Sequence, residues 1–154
     1  MAPFEKIKQF FDDKNIKYQI LTHEPVFTSA DAAKVRGLSP HQGAKALLLK
    51  YNSEYVLAVL PGDLKLDSNK LRKLLDIKDI RFATPEEVED VMGCRIGACY
   101  PIGNIINVKM VLDKKLGENE TISFNAGAHA ISLIMKYQDY IQATTPQIED
   151  ISKE

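Results

Sequence analysis

Apolar residues in the first stretch of the chain fall at Phe4, Ile7, Phe10 and Phe11. This spacing, with Pro3 suited to a first turn, predicts an amphipathic helix over 3–14. YQILTHE at 18–24 reads as a short strand ended by Pro25. A second helix follows, opened by Thr28 as N-cap, with Asp31 returning toward the cap backbone as a weaker capping box, and ended by Gly37. GAKALLLKYN at 43–52 and EYVLAVLPG at 54–62 are two apolar strands one turn apart, which predicts a hairpin through Asn52 and Ser53 in the middle of the sheet. Asp67 or Ser68 caps a peripheral helix through Leu71, Leu74 and Leu75. Pro85 with Glu86 and Glu87 opens another, ending at Gly93. After a Gly/Pro-rich loop at 93–104, IINVKMVLD, TISFN and HAISLIM read as strands, followed by a short helix near 137–142 and a polar tail. Strands concentrated in the middle, with helices before, among and after them, predict an α+β fold with a mixed, curved central β-sheet flanked by helices.

The composition narrows the field. A chain of 154 residues has the usual size of one domain, expected to bury roughly 70% of its unfolded surface, and no repeat or linker marks a second; residues 1–154 are read as a single domain. Twenty basic and 21 acidic side chains leave a formal charge of −1, so any nucleic-acid contact must be local. The acids in the opening segment exclude a secretory signal and no apolar run approaches the ~20 residues of a membrane span; a cytoplasmic protein without membrane contact is expected.

Several residues carry candidate chemistry. Lys45 interrupts an apolar strand, and alternation places it on the face of Leu47 and Leu49. Such a lysine either snorkels to the edge or serves an anion or carbonyl. The loop GCRIGACYPIGN, with Gly93, Gly97, Gly103 and Pro101, is either a plain connection or a place where main-chain amides approach a ligand. In NAGAH at 125–129, Gly127 permits a bulge or turn that aims His129 across the sheet, as a structural residue or a substrate contact. His23 and His41 belong to no ligand cluster. Cys94 and Cys99 lack the partners of a zinc site, and in a reducing compartment a disulfide between them is not expected. HExxH, Gly-x-Ser-x-Gly, GxGxxG and Walker patterns are absent. Lys65, Lys70, Arg72 and Lys73 cluster on one predicted helix and its lead-in, either as a solvated face or as phosphate contacts for an RNA acceptor stem.

Taken together, HEPVFTSADAAKVRGLSPHQGAKALLLK, GCRIGACYPIGN and FNAGAHAISLIMKYQDY resemble the editing domain associated with prolyl-tRNA synthetase and its free-standing YbaK relatives, over roughly residues 18–143. The resemblance implies a deacylase that hydrolyses the ester of a mischarged aminoacyl-tRNA, without metal or cofactor, with a tRNA synthetase as a further partner and DNA as none. It assigns the family's lysine to Lys45, its GxxxP loop to Gly97–Pro101 and its specificity-linked histidine to His129. Water would attack the ester carbonyl, Lys45 would anchor the substrate, and loop amides at Gly97 would steady the oxyanion with help from the tRNA's terminal hydroxyl. Ala98, Cys99, Tyr100, Pro101, Gly103, Asn125, Gly127 and His129 are the expected substrate contacts. Ala128-His129 departs from the YbaK branch, which usually has arginine in this turn, and points away from cysteine toward alanine on tRNA(Pro). Two other readings stay open: a non-catalytic module of the same fold that captures tRNA or a synthetase, and a small-molecule binder with a Gly-lined pocket.

Overall fold

The computed structural model describes residues 1–154. Helix α1 (Pro3–Asp12) buries Ile7 and Phe11, the inward stripe that its spacing predicts. Strand β1 (Gln19–Thr22) leads to α2 (Ser29–Arg36), where Thr28 Oγ1 accepts from the Asp31 amide at 3.1 Å and Gly37 closes the helix at φ 72°. The Asp31 carboxylate makes no return bond to the cap. A 3-10 turn (Pro40–Gln42) then enters the hairpin of β2 (Ala44–Tyr51) and β3 (Glu54–Pro61), which pairs in full register from Ala44 opposite Pro61 to Tyr51 opposite Glu54. Asn52 turns the hairpin at φ 53°, a left-handed angle that Asn tolerates better than most residues.

Short β4 (Lys65–Leu66) precedes α3 (Ser68–Leu75), capped by Asp67. Strand β5 (Arg81–Phe82) precedes α4 (Pro85–Met92). The Thr84 and Glu87 capping box fixes that junction, and Arg81, followed by the Thr84 amide, holds the Glu87 carboxyl far below the usual carboxylate range. The strand expected from residue 105 starts later. A 3-10 turn (Gly103–Ile105) and Asn107 at φ 56° delay β6 to Lys109–Asp113. After a 3-10 segment (Lys114–Glu118), β7 (Thr121–Asn125), β8 (Ile131–Lys136) and α5 (Tyr137–Thr144) follow as expected.

The fold is α+β, with its strands divided rather than continuous. The mixed five-stranded sheet runs β5, β2, β3, β6 and then β9 (Gln147–Glu149), with β6 parallel to both β3 and β9. Strands β1, β8 and β7 form a separate antiparallel sheet, joined to β2 by a bridge between Gly43 and Ser123. The main core lies between the sheets and includes Phe11, Leu48, Leu57, Tyr100, Phe124 and Tyr140. A smaller one, with Leu49, Val56, Leu71 and Val111, lies beneath α3.

The tail read as polar is structured. Beyond β9, β10 (Ser152–Lys153) pairs with β4, and Ile151 is fully buried in the smaller core, a burial worth ~1.5–3 kcal/mol. The buried Asp113 carboxylate accepts the Ile151 amide at 2.9 Å and the Lys115 amide at 3.1 Å.

Candidate active site

Strand β5 covers only part of the β2 edge: Phe82 stands opposite Leu49 and Arg81 opposite Lys50, and the Ala83 amide donates to the Leu48 carbonyl. Backbone groups two residues apart on a strand point the same way. β7 meets this edge at Ala44 through the Gly43–Ser123 bridge, so the groups of Ala46 face the stretch that β5 and β7 leave open. A cavity of about 240 Å³ occupies that stretch, walled by Ala32 and Arg36 of α2, Val88 of α4, Gly97 and Cys99 of the loop, and Asn125 of β7. Its volume is below the roughly 300–1,000 Å³ of sites for drug-sized ligands; it suits a small group. No aspartate, glutamate or histidine lines it.

Lys45 lines this cavity. Its Nζ donates to the Leu64 carbonyl at 2.6 Å, which uses one of three N–H donors. Desolvation lowers its pKa while Asp63 pulls it upward, and the net shift is down. The adjoining turn is itself clamped: His41 bonds Asp63 through Nδ1 at 2.9 Å and Glu118 through Nε2 at 2.9 Å. Desolvation depresses His41, but the two carboxylates outweigh it and leave its pKa above the ordinary histidine value. A raised folded-state pKa adds stability that is complete below the unfolded value, about 6.5, and is lost as pH rises through the folded value. Partial exposure of the partners screens the gain to roughly 0.5–1 kcal/mol. The melting-temperature advantage of the natural chain over His41→Gln should therefore shrink as pH is raised from 6 to 9; an advantage that grows would contradict the clamp.

Arg36 is the site residue that the sequence reading missed. Its Nε donates to Ser132 Oγ at 2.8 Å, Nη1 to Ser123 Oγ at 3.1 Å and Nη2 to Asn125 Oδ1 at 3.0 Å. It has no carboxylate partner, and burial pulls its pKa down to about 10. Because a guanidinium only donates, it fixes the Asn125 amide with oxygen inward. Asn125 Nδ2 then donates to the Gly97 carbonyl at 2.9 Å. A signal was available: Arg36 lies four residues after buried Ala32, on the inward face of α2.

The loop is held from below. Tyr100 Oη donates to the Met92 carbonyl at 2.7 Å and Tyr140 Oη to the Pro101 carbonyl at 2.5 Å. Gly97 takes φ 89°. The Ala98 amide donates to the Arg95 carbonyl, whereas the Gly97 and Cys99 amides have no carbonyl acceptor. Both cysteines are buried and free. Hydrogen bonding between the thiols pushes Cys94 up, with burial adding to it, and Cys99 down, against burial and with the Gly97 and Cys99 amides facing its sulfur.

Of the residues singled out beforehand, Lys45, Gly97, Cys99 and Asn125 meet at this cavity. Ala98, Tyr100, Pro101 and Gly103 do not line it, because their side of the loop packs into the core. Gly127 faces Pro3 of α1, and His129 stands behind the wall, its Nε2 3.2 Å from the place of a Gly97 Cβ and its ring centroid 4.6 Å from that of Phe27. Lys65, Lys70, Arg72 and Lys73 lie outside the lining. Lys70 tethers the tail through Asp150 and the Ser152 carbonyl, and Arg72 bonds Asn69.

Residues 23–143 match the sequence profile of the aminoacyl-tRNA editing domain. The multifunctional Ser/Thr-tRNA deacylase ProXp-y of Escherichia coli K12 is 30% identical over 149 residues, covering 94% of this chain and 89% of that protein. A proline–tRNA ligase of Thermotoga neapolitana is 38% identical over 91 residues, 59% of this chain but 15% of the ligase. Among solved structures, a hypothetical protein superimposes with TM-score 0.87 at 25% identity, covering 96% of this chain and 99% of that one. A candidate trans-editing enzyme for prolyl-tRNA synthetase superimposes with TM-score 0.87 at 22% identity, covering 100% and 99%. No helix is long and apolar enough to cross a membrane.

Proposed function

Since this chain belongs to the aminoacyl-tRNA editing domain family, we propose that it removes a small amino acid from mischarged tRNA, tRNA(Pro) foremost, by hydrolysing the ester at the RNA 3′ end. The observation that carries this reading is Lys45 in a small, carboxylate-free cavity along the open edge of β2. With neither an acid/base pair nor a Ser–His dyad in the lining, the work falls to oriented donors and a positioned water. Lys45, held by the Leu64 carbonyl, has two protons left for a substrate oxygen. The Ala46 amide on the open edge and the Gly97 amide on the opposite wall, which also faces the Cys99 sulfur, are donors for the oxyanion that forms when water attacks.

Size sets the specificity. The cavity takes a small side chain and rejects larger ones by clash, while neighbours that differ by one methylene are poorly separated. Alanine fits, and the hydroxyls of Thr28 and Ser29 in the lining give serine and threonine partners as well, the residues in the name of the Escherichia coli relative. Incubating the chain with separately charged tRNA(Pro) species tests the reading: lysine-dependent release of a small non-cognate residue supports it, and release of none overturns it.

Asn125→Asp separates orientation from stability. The new carboxylate would pair with Arg36 yet could not donate to the Gly97 carbonyl. A melting temperature equal to or above that of the natural chain is expected, with deacylation reduced about tenfold or more by the loosened loop. Unchanged turnover would show that the tie to Gly97 is dispensable.

A further inference from the structure

Three of the large apolar side chains most exposed to water surround this cavity: Phe27 at 72%, Phe82 at 59% and Ile96 at 55%. Phe27 is exposed for a local reason. It occupies the position before the Thr28 cap, where an apolar residue normally packs against the fourth helical residue, and that residue is Ala32, too short to reach it. One side of the ring is nevertheless fixed. The His129 ring lies against it at 4.6 Å and 38°, and the Val26 amide donates to the His129 carbonyl at 3.1 Å. Its orientation is thus held by the turn that carries His129, and the rest of the ring faces solvent.

We propose that Phe27, backed by His129, is a stacking platform for the unpaired base at the 3′ end of the RNA, a role that rests on the deacylase reading above. The cavity has room for an aminoacyl group but not for a nucleoside as well. An ester seated at Lys45 therefore leaves its sugar and base at the mouth, where the exposed apolar residues are. Unpaired bases bind on aromatic faces of this kind. The lining carries Arg36 and Lys45 and no acid, which suits a polyanion. A protein partner seated on the same rim would close the mouth that the ester must enter.

The test compares deacylated tRNA ending in adenosine with the same tRNA ending in an abasic ribose, by equilibrium binding to the natural chain, Phe27→Ala and Phe27→Trp. The natural chain and Phe27→Trp are expected to bind the intact end roughly 5- to 100-fold more tightly. Phe27→Ala is expected to bind both RNAs within about twofold of each other, with its melting temperature unchanged because the ring is exposed. Equal binding of the two RNAs by the natural chain, including no binding of either, overturns the platform. So does a Phe27→Ala variant that keeps the preference or weakens both RNAs alike. Hydrolysis is scored separately on charged tRNA: a Phe27-dependent preference for the intact end without turnover would leave the platform standing and remove the deacylase reading.

Discussion

Lys45→Ala is expected to lower kcat/KM for deacylation by about 100-fold or more, with the folded state nearly unaffected. The size follows from the lining. Lys45 and Arg36 are its two cationic side chains, and Arg36 is occupied by Ser123, Ser132 and Asn125. No other side chain can bring a comparable donor to the floor of the cavity. The effect on stability is small because two changes oppose each other: the Leu64 carbonyl loses its donor, while a half-buried cation with no carboxylate within bonding distance is removed, which relieves desolvation. Arginine should not rescue, since its planar fork cannot occupy the place of a compact ammonium. Steady-state kinetics beside a thermal melt check this. Loss of turnover matched by a collapse of the melting temperature would make Lys45 a structural residue instead.

Gly103→Ala should do the reverse, lowering stability by about 3 kcal/mol and the melting temperature by roughly 6–12 °C. A Cβ at this position would stand 2.3 Å from the Val108 carbonyl oxygen, and a backbone atom cannot swing aside. The Gly103 carbonyl accepts from both the Ile106 and Val108 amides, so the turn that starts β6 would be pushed apart. Gly103, grouped beforehand with the substrate contacts, abuts Val108 and lies outside the cavity lining. The surviving folded fraction should keep a near-normal KM, which a substrate-contacting glycine would not.

Elements governed by local chemistry were legible in the sequence. Thr28 caps the helix it was expected to cap, Pro85 opens the one it was expected to open, Gly37 and Gly93 end them in left-handed geometry, and the hairpin at Asn52 follows from two apolar runs one turn apart. Features decided by distant partners were not. Ile151 was passed over because its burial depends on the Asp113 carboxylate, 38 positions earlier. The division of the strands into separate sheets likewise depends on β1 pairing with β8, a contact between opposite ends of the chain. At the site, Lys45 stood out because a charge inside an apolar strand needs a reason. Arg36 did not, because α2 is polar enough to hide one more cation. The orientation of Tyr100 was not legible for a related reason: in a Gly-rich loop an aromatic can face ligand or core, and here the Met92 carbonyl holds it in the core.

The most direct test of the central claim is the deacylation of tRNA(Pro) charged in turn with alanine, serine, threonine, cysteine and proline. Rapid loss of alanine or another small non-cognate residue, with Pro-tRNA spared and activity abolished in Lys45→Ala, is the predicted result. Loss of none above the spontaneous rate, or equal loss with and without Lys45, would contradict it.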